Sequence, residues 1–333
     1  MPGLKDSSDI RRINRYKIQR ILWSGGEHTK QQLAAQTGLS VATCNTLLNE
    51  MERSGEVVGE HRRLRDVGRE SMCYRVNERY ESLLCVSFDL VGTDRLLVLQ
   101  VLSTTGNVID RADLRFDHLG SEVIAREVSR VVERQGNVTQ VVLGTPSVAE
   151  HGTIRHCDLP ELEGVDLADR LETLLGIPVH LENDMHLKAY GYYCGCTRTD
   201  EVITLANFPQ HVLPGTASVQ AGTVIKGCNQ FAGMVGFLPY EVDRAREIEL
   251  LAPETCRPFV SRAIASVIAV VNPGVIVLTG NLLNAGSLEW IERDCLEYIP
   301  REHLPTFEFE QSFDAFYLAG MYQRALELKG TIA

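Results

Sequence analysis

Residues 29–58, TKQQLAAQTGLSVATCNTLLNEMERSGEVV, constrain the chain most, because their apolar spacing suits two short crossed helices. Leu33, Ala34, Leu39, Leu47, Leu48 and Met51 recur at intervals that place side chains between such helices, and Thr37 with Gly38 supplies the turn. Ser40 is placed to N-cap the second helix, while Ser54 and Gly55 end it ahead of the β-branched pair Val57 and Val58. This is the pattern of a helix-turn-helix leading into the first strand of a wing. The solvent side of the second helix carries Ser40, Ala42, Thr43, Asn45, Thr46 and Asn49, small or amide-bearing side chains able to enter a major groove and touch base edges. A helical hairpin that merely packs on another element would share this core, but the basic stretch that follows favours DNA.

That stretch, HRRLRDVGRE, lies between the two strands of a wing read over Val57 to Val76. Arg62, Arg63, Arg65 and Arg69 gather around Gly68, where they can reach backbone phosphates or the minor groove. Upstream, Ile10, Ile13, Ile18, Ile21 and Leu22 follow a helical period over Ile10 to Ser24, stopped by Gly25 and Gly26. Charge divides the chain in the same way. Residues 1–77 hold 13 basic and 9 acidic side chains, a net +4 within a total of -11, so the remainder carries -15. A basic head on an acidic body fits a DNA-binding module joined to a domain that does not itself hold phosphates.

The length of 333 residues, with 44% hydrophobic and 23% charged side chains, allows two or three domains with their own cores. The nine cysteines have no disulfide-like rhythm, which points to a reducing cytoplasm. Cys194 and Cys196 lack a second pair at metal-ligand spacing, so no metal is expected. Neither a signal peptide nor a run of about 18 apolar residues is found, so no membrane partner is expected. From Leu83 onward β and α segments alternate. LLCVSFDLVGTDRLLVLQVLSTTGNVIDR reads as a strand, a turn at Gly92 and Thr93, a second strand and a hairpin at Thr105, Gly106 and Asn107. Val123 to Arg134 is an amphipathic helix and Val138 to Gly144 a buried strand, the texture of a doubly wound α/β fold. Further on, Glu247 to Val271 is helical with breaks near Pro253 and Pro258, Leu288 to Ile299 is a helix, Phe307 to Phe309 a short strand and Ala315 to Lys329 a final helix.

The succession of the winged head, DLVGT at Asp89 to Thr93, GTPSVAEHGTI, the DLPELEGVDLADR run beginning at Asp158, IPVHLENDMHLKAYG, AGTVIKGCNQFAGMVGF and NPGVIVLTGN resembles the ROK family of repressors and sugar kinases over nearly the whole chain. In particular it resembles the family's transcriptional regulators. The resemblance implies a winged helix-turn-helix over residues 1–77. A two-lobed actin-like, sugar-kinase-like (ribonuclease H-like) ATPase fold would follow, with lobe 1 over 78–202 and lobe 2 over 203–333. In the kinases, the aspartate at the place of Asp184 is the general base and the asparagine before it binds the sugar. By the same resemblance Asp158, Glu182, Asn183, Asp184, Met234 and Phe237 are candidate effector-binding residues.

Departures from the family pattern limit what is carried over. Val91 stands where the first phosphate turn has a glycine, and FPQHVLPGTASVQAG carries Ala217, Val219 and Gln220 in place of a compact glycine-rich turn. Only glycine lets backbone amides close on phosphate oxygens without a Cβ between them. Met234 and Phe237 replace the glutamate and histidine of the A-G-E-x-G-H pattern, a single Cys256 replaces the zinc motif, and Thr279 replaces a glycine near the adenine position. The expectation is a cytoplasmic repressor without enzymatic activity, cofactor or metal, binding an inverted-repeat operator in double-stranded DNA as a homodimer or homotetramer. Its effector would be a sugar or sugar derivative, less polar or differently polar than a simple hexose, or would have been lost. Two other readings stay open: a sugar kinase with an appended DNA-binding head, and a regulator whose lobes serve only oligomerisation or protein docking.

Overall fold

The computed structural model describes residues 7–63, 70–91, 94–150, 152–157 and 159–332. The head consists of α1 (Ser7–Trp23), β1 (His28–Thr29), α2 (Lys30–Thr37), α3 (Val41–Arg53), β2 (Val57–Arg62) and β3 (Ser71–Val76). Thr29 and Gln32 cap α2 reciprocally: the Thr29 hydroxyl accepts from Gln32 N, and Gln32 Oε1 accepts from Thr29 N at 2.8 Å. Gly38 then takes a φ of 71°, a left-handed turn that lets the chain change direction, and Ser40 caps α3 by accepting from Thr43 N at 3.0 Å. Ile18, Leu22, Leu33, Cys44, Leu47, Leu48 and Met51 are buried between the three helices. β2 and β3 pair antiparallel as the wing, and β1 adds a third strand against β3, two residues too short to show a period in the sequence. Glu56 is buried behind the wing, where Arg15 and Gln19 of α1 both donate to its carboxylate.

The body contains two five-stranded sheets of one design. The first comprises β4 (Ser82–Val91), β5 (Asp94–Ser103) and β6 (Val108–Phe116), then α4 (Ser121–Gln135) and β7 (Val138–Thr145). The short hairpin β8 (Val148–Glu150) and β9 (Thr153–Arg155) precedes α5 (Leu167–Leu175), β10 (Val179–Asn183) and α6 (Asp184–Gly195). The second comprises β11 (Ile203–Asn207), β12 (Gly215–Gln220), β13 (Thr223–Val224), α7 (Arg244–Leu250), α8 (Arg257–Val271), β14 (Val275–Thr279), α9 (Ser287–Cys295), β15 (Thr306–Phe309) and α10 (Asp314–Ile332). The strand orders are β10-β7-β4-β5-β6 and β13-β12-β11-β14-β15. In each, three strands form an antiparallel meander and two more join in parallel through helices. The sheets are therefore mixed and not doubly wound, because tight hairpins such as Thr105-Gly106-Asn107 can join only antiparallel strands.

Alternation along the strands fixes the layers. In the first sheet Leu84, Val86, Val141 and Leu143 face α4 and α5, while Leu83, Cys85 and Val142 face the opposite way, toward Met321 and Ala325 of α10. In the second, Ile276 and Leu278 face α8 and α9, while Leu205, Val275 and Val277 face Met185, Ala189 and Tyr190 of α6. The paired helices α6 and α10 thus fill the space between the sheets. They approach so closely that a Cβ at Gly191 would lie 1.9 Å from Phe316 O, and one at Gly320 would lie 1.9 Å from Leu187 O. The far end of α10 reaches the head, where the Tyr16 hydroxyl donates to Leu326 O at 3.3 Å and the Tyr16 ring covers Gly330. No helix among the described residues is long and apolar enough to cross a membrane.

Candidate nucleic-acid interface and inter-lobe cleft

On α3, the side opposite the buried Cys44, Leu47, Leu48 and Met51 presents Ser40, Ala42 and Thr46 to solvent, with Thr43, Asn45 and Asn49 half-buried at its margins. The Thr46 hydroxyl donates back to Ala42 O at 3.1 Å, so its methyl and lone pairs remain outward. Asn45 Oδ1 accepts from the Lys30 ammonium at the start of α2. In the wing, Arg62 pairs with Glu27 at 3.2 Å and Glu60 at 2.9 Å, and exposed Arg63 lies 3.7 Å from Glu70. Arg65 and Arg69 lie outside the described residues, as do Asp158 and the Gly92-Thr93 turn.

Between the lobes runs a cleft of about 490 Å³. Asn183, Asp184, Met234 and Phe237 line it, together with residues that sequence reasoning missed: Lys188, His156, His186 and Arg244. Strand β10 delivers Asn183 to the N-cap of α6, where both ends of its amide are used. Oδ1 accepts from His186 N at 3.0 Å, and Nδ2 donates to Ser147 O at 2.8 Å. Asp184 forms an ion pair with Lys188 one turn along α6. Burial disfavours the Lys188 ammonium, but Asp184, then Asp89 and Asp314, raise its pKa above the ordinary lysine value. With Asp89 it borders three adjoining depressions, one of which holds Thr279, Gly280 and Asn281, so it sits where they meet. Its i,i+4 spacing from Asp184 was visible in the sequence.

Glu182 does not line the cleft. It is buried behind it, bound by Arg324 of α10 at 3.0 Å, by His180 at 3.0 Å and by Lys226. Burial opposes its charge, but the His180 bond, Arg324 and Lys226 together hold the carboxyl well below the usual range. The side chain that precedes Asn183 in a β-strand must point to the opposite face, which is why the two diverge. His186, also buried, has Nδ1 4.0 Å from Glu182 Oε1 and without a hydrogen-bond partner among the described residues. Desolvation, more than any neighbouring charge, lowers its pKa to about 4. At the cleft mouth His156 of the first lobe meets Phe231 and Phe237 of the second edge to face, at centroid distances of 5.9 and 5.7 Å. The Arg244 guanidinium lies 4.4 Å from the Phe237 ring centre.

A winged head and a paired-sheet body with a cleft between its lobes define the class of fold: a winged helix-turn-helix joined to a sugar-kinase-like ROK fold. The winged helix-turn-helix DNA-binding family matches residues 11–57. A ROK family transcriptional regulator, described as a homologue of the E. coli MLC protein, superposes with a TM-score of 0.67 at 14% identity, covering 98% of this chain and 100% of that one. The ROK hexokinase from Thermus thermophilus superposes with a TM-score of 0.57 at 22% identity, covering 74% of this chain and 99% of that one. A ROK family glucokinase from Streptomyces griseus, in complex with glucose and AMPPNP, superposes with a TM-score of 0.56 at 14% identity over 73% and 99%. No curated protein matches. Likenesses at this identity establish the fold, and it is shared by regulators and kinases alike.

Proposed function

We propose that the chain is a DNA-binding transcriptional repressor, acting in the cytoplasm as a homodimer or higher symmetric oligomer on an inverted repeat, and that its kinase-like body has lost catalysis. The reading divides the chain into a head over residues 1–77 and lobes over 78–202 and 203–333. The observation that carries it is the exposed polar face of α3 above a fully formed helical core, beside a wing of arginines. Loss of catalysis is supported by Lys188, whose ammonium neutralises Asp184 where a kinase would need a free carboxylate base. Asn183 already spends one bond at each end of its amide on main-chain atoms, which leaves a sugar hydroxyl one lone pair and one N–H rather than a free amide. The cleft remains suited to an effector. Its mouth presents aromatic rings, the Met234 thioether and one guanidinium, a set that favours a less polar ligand than a hexose.

Transmission from cleft to head has a material route in α10. Its first residue, Asp314, adjoins Lys188, Arg324 at its middle grips Glu182, and its last turns press on Tyr16 of α1. A change in lobe closure that shifts α10 against α6 would therefore alter the seating of the head. The test pairs two measurements on the full-length protein: retention of duplex DNA at near-physiological salt, and a coupled assay of ATP turnover with glucose, mannose and N-acetylmannosamine. DNA retention without turnover is the expected result, and turnover with any of these sugars would reinstate the kinase alternative.

A further inference from the structure

Lys30 opens α2 immediately after the capping Thr29, and its ammonium is held from two sides. It lies 5.3 Å from the centre of the buried Tyr74 ring in the wing, and it donates to Asn45 Oδ1 of α3 at 2.5 Å. A lysine ammonium only donates hydrogen bonds, so the group facing it must be the carbonyl oxygen of Asn45, and the amide nitrogen must point away. This orientation matters for base recognition. An asparagine with both ends free complements adenine, whose major-groove edge pairs the acceptor N7 with the donor N6. Here the Lys30 ammonium takes one of the two lone pairs of Oδ1 and sets its charge beside the other, where it competes with the N6 amino group of an adenine. What the pair offers a base is chiefly donors, the two N–H groups of Asn45 and those of Lys30 that Asn45 does not use. Guanine is the one base that presents two acceptors, O6 and N7, in the major groove.

We infer that Lys30 and Asn45 act together as a guanine reader, with Lys30 a specificity-determining residue that fixes the Asn45 amide. The inference rests on the proposal that α3 faces DNA. A bond from a charged donor is roughly twice as strong as a neutral one, and contact with the Tyr74 face adds to it, so the pair persists when a base arrives. The test is selection of bound duplexes from a random pool by the full-length protein and by Lys30→Met, Lys30→Arg and Asn45→Ala, each first checked for unchanged circular dichroism. The wild type is expected to require a guanine in each half-site, and changing it to adenine weakens binding roughly tenfold. Lys30→Met frees Asn45 Oδ1 and moves the preference at that position toward adenine. Lys30→Arg retains guanine, and Asn45→Ala flattens the preference. A wild-type motif with no such guanine, or a preference unmoved by Lys30→Met, would overturn the inference alone. Failure of every protein to enrich any motif would overturn the regulator reading as well.

Discussion

Lys188 is the residue on which the body's chemistry turns. Its side chain and that of Asp184 are 12% and 14% exposed, so each charge depends on the other. Lys188→Met leaves a carboxylate unpaired in a poorly solvated cleft and is expected to cost about 3 kcal/mol in urea unfolding. Adding Asp184→Asn should return most of that loss, and equal stabilities of the single and double variants would contradict the pairing. His186 carries a pH signature. Its folded pKa of about 4 lies below the 6.5 of an unfolded histidine, so between these values the unfolded chain binds a proton that the folded chain refuses. Stability attributable to His186 is therefore full above about pH 6.5 and falls as the pH drops, by up to about 3 kcal/mol near pH 4. The stability difference between wild type and His186→Gln should shift across that window, and parallel curves would remove His186 as the cause. The spacing of Asp184 and Lys188 was legible in the sequence, but the burial that gives this pair and His186 their effects was not, because it arises only once the strand-to-helix junction at Asn183 is folded.

At the scale of elements, the crossing of α6 and α10 is what joins the lobes. Gly320→Ala would drive a methyl onto Leu187 O, a main-chain atom that cannot rotate aside, and should destabilise the protein by roughly 3 kcal/mol in thermal or urea melts. Gly195→Ala, at the end of α6 with nothing near its Cβ, is the control and should be close to neutral. Equal effects of the two would mean that the helices do not meet as described. The elements themselves were largely readable. The helix-turn-helix followed from apolar spacing and from capping by Ser40, and the final helix from Ala315 onward agrees with α10. What periodicity could not reveal was that α10, last in sequence, lies against the first sheet and touches α1. The hairpin read at Thr105-Gly106-Asn107 already required an antiparallel pair and so a mixed sheet, whereas the parallel partners of β4 and β11 leave no local pattern.

At the scale of the whole molecule, the proposed function assigns the charge asymmetry in the sequence to a DNA-reading head and an effector-binding body. A basic head presents α3, and within an acidic body two carboxylates, Glu182 and Asp184, are paired with Arg324 and Lys188. Of the candidate site, Asn183, Asp184, Met234 and Phe237 line one cleft, while Glu182 turns to the opposite face of β10 and out of it. The central claim is specific reading of DNA by a symmetric assembly, and selection of duplexes from a random pool by the wild-type protein, followed by sequencing, tests it most directly. The account predicts one enriched inverted repeat whose half-site centres are separated by an integral number of helical turns, about 10.5 base pairs each. Retention of DNA without any enriched motif, or a single unrepeated half-site, would contradict it.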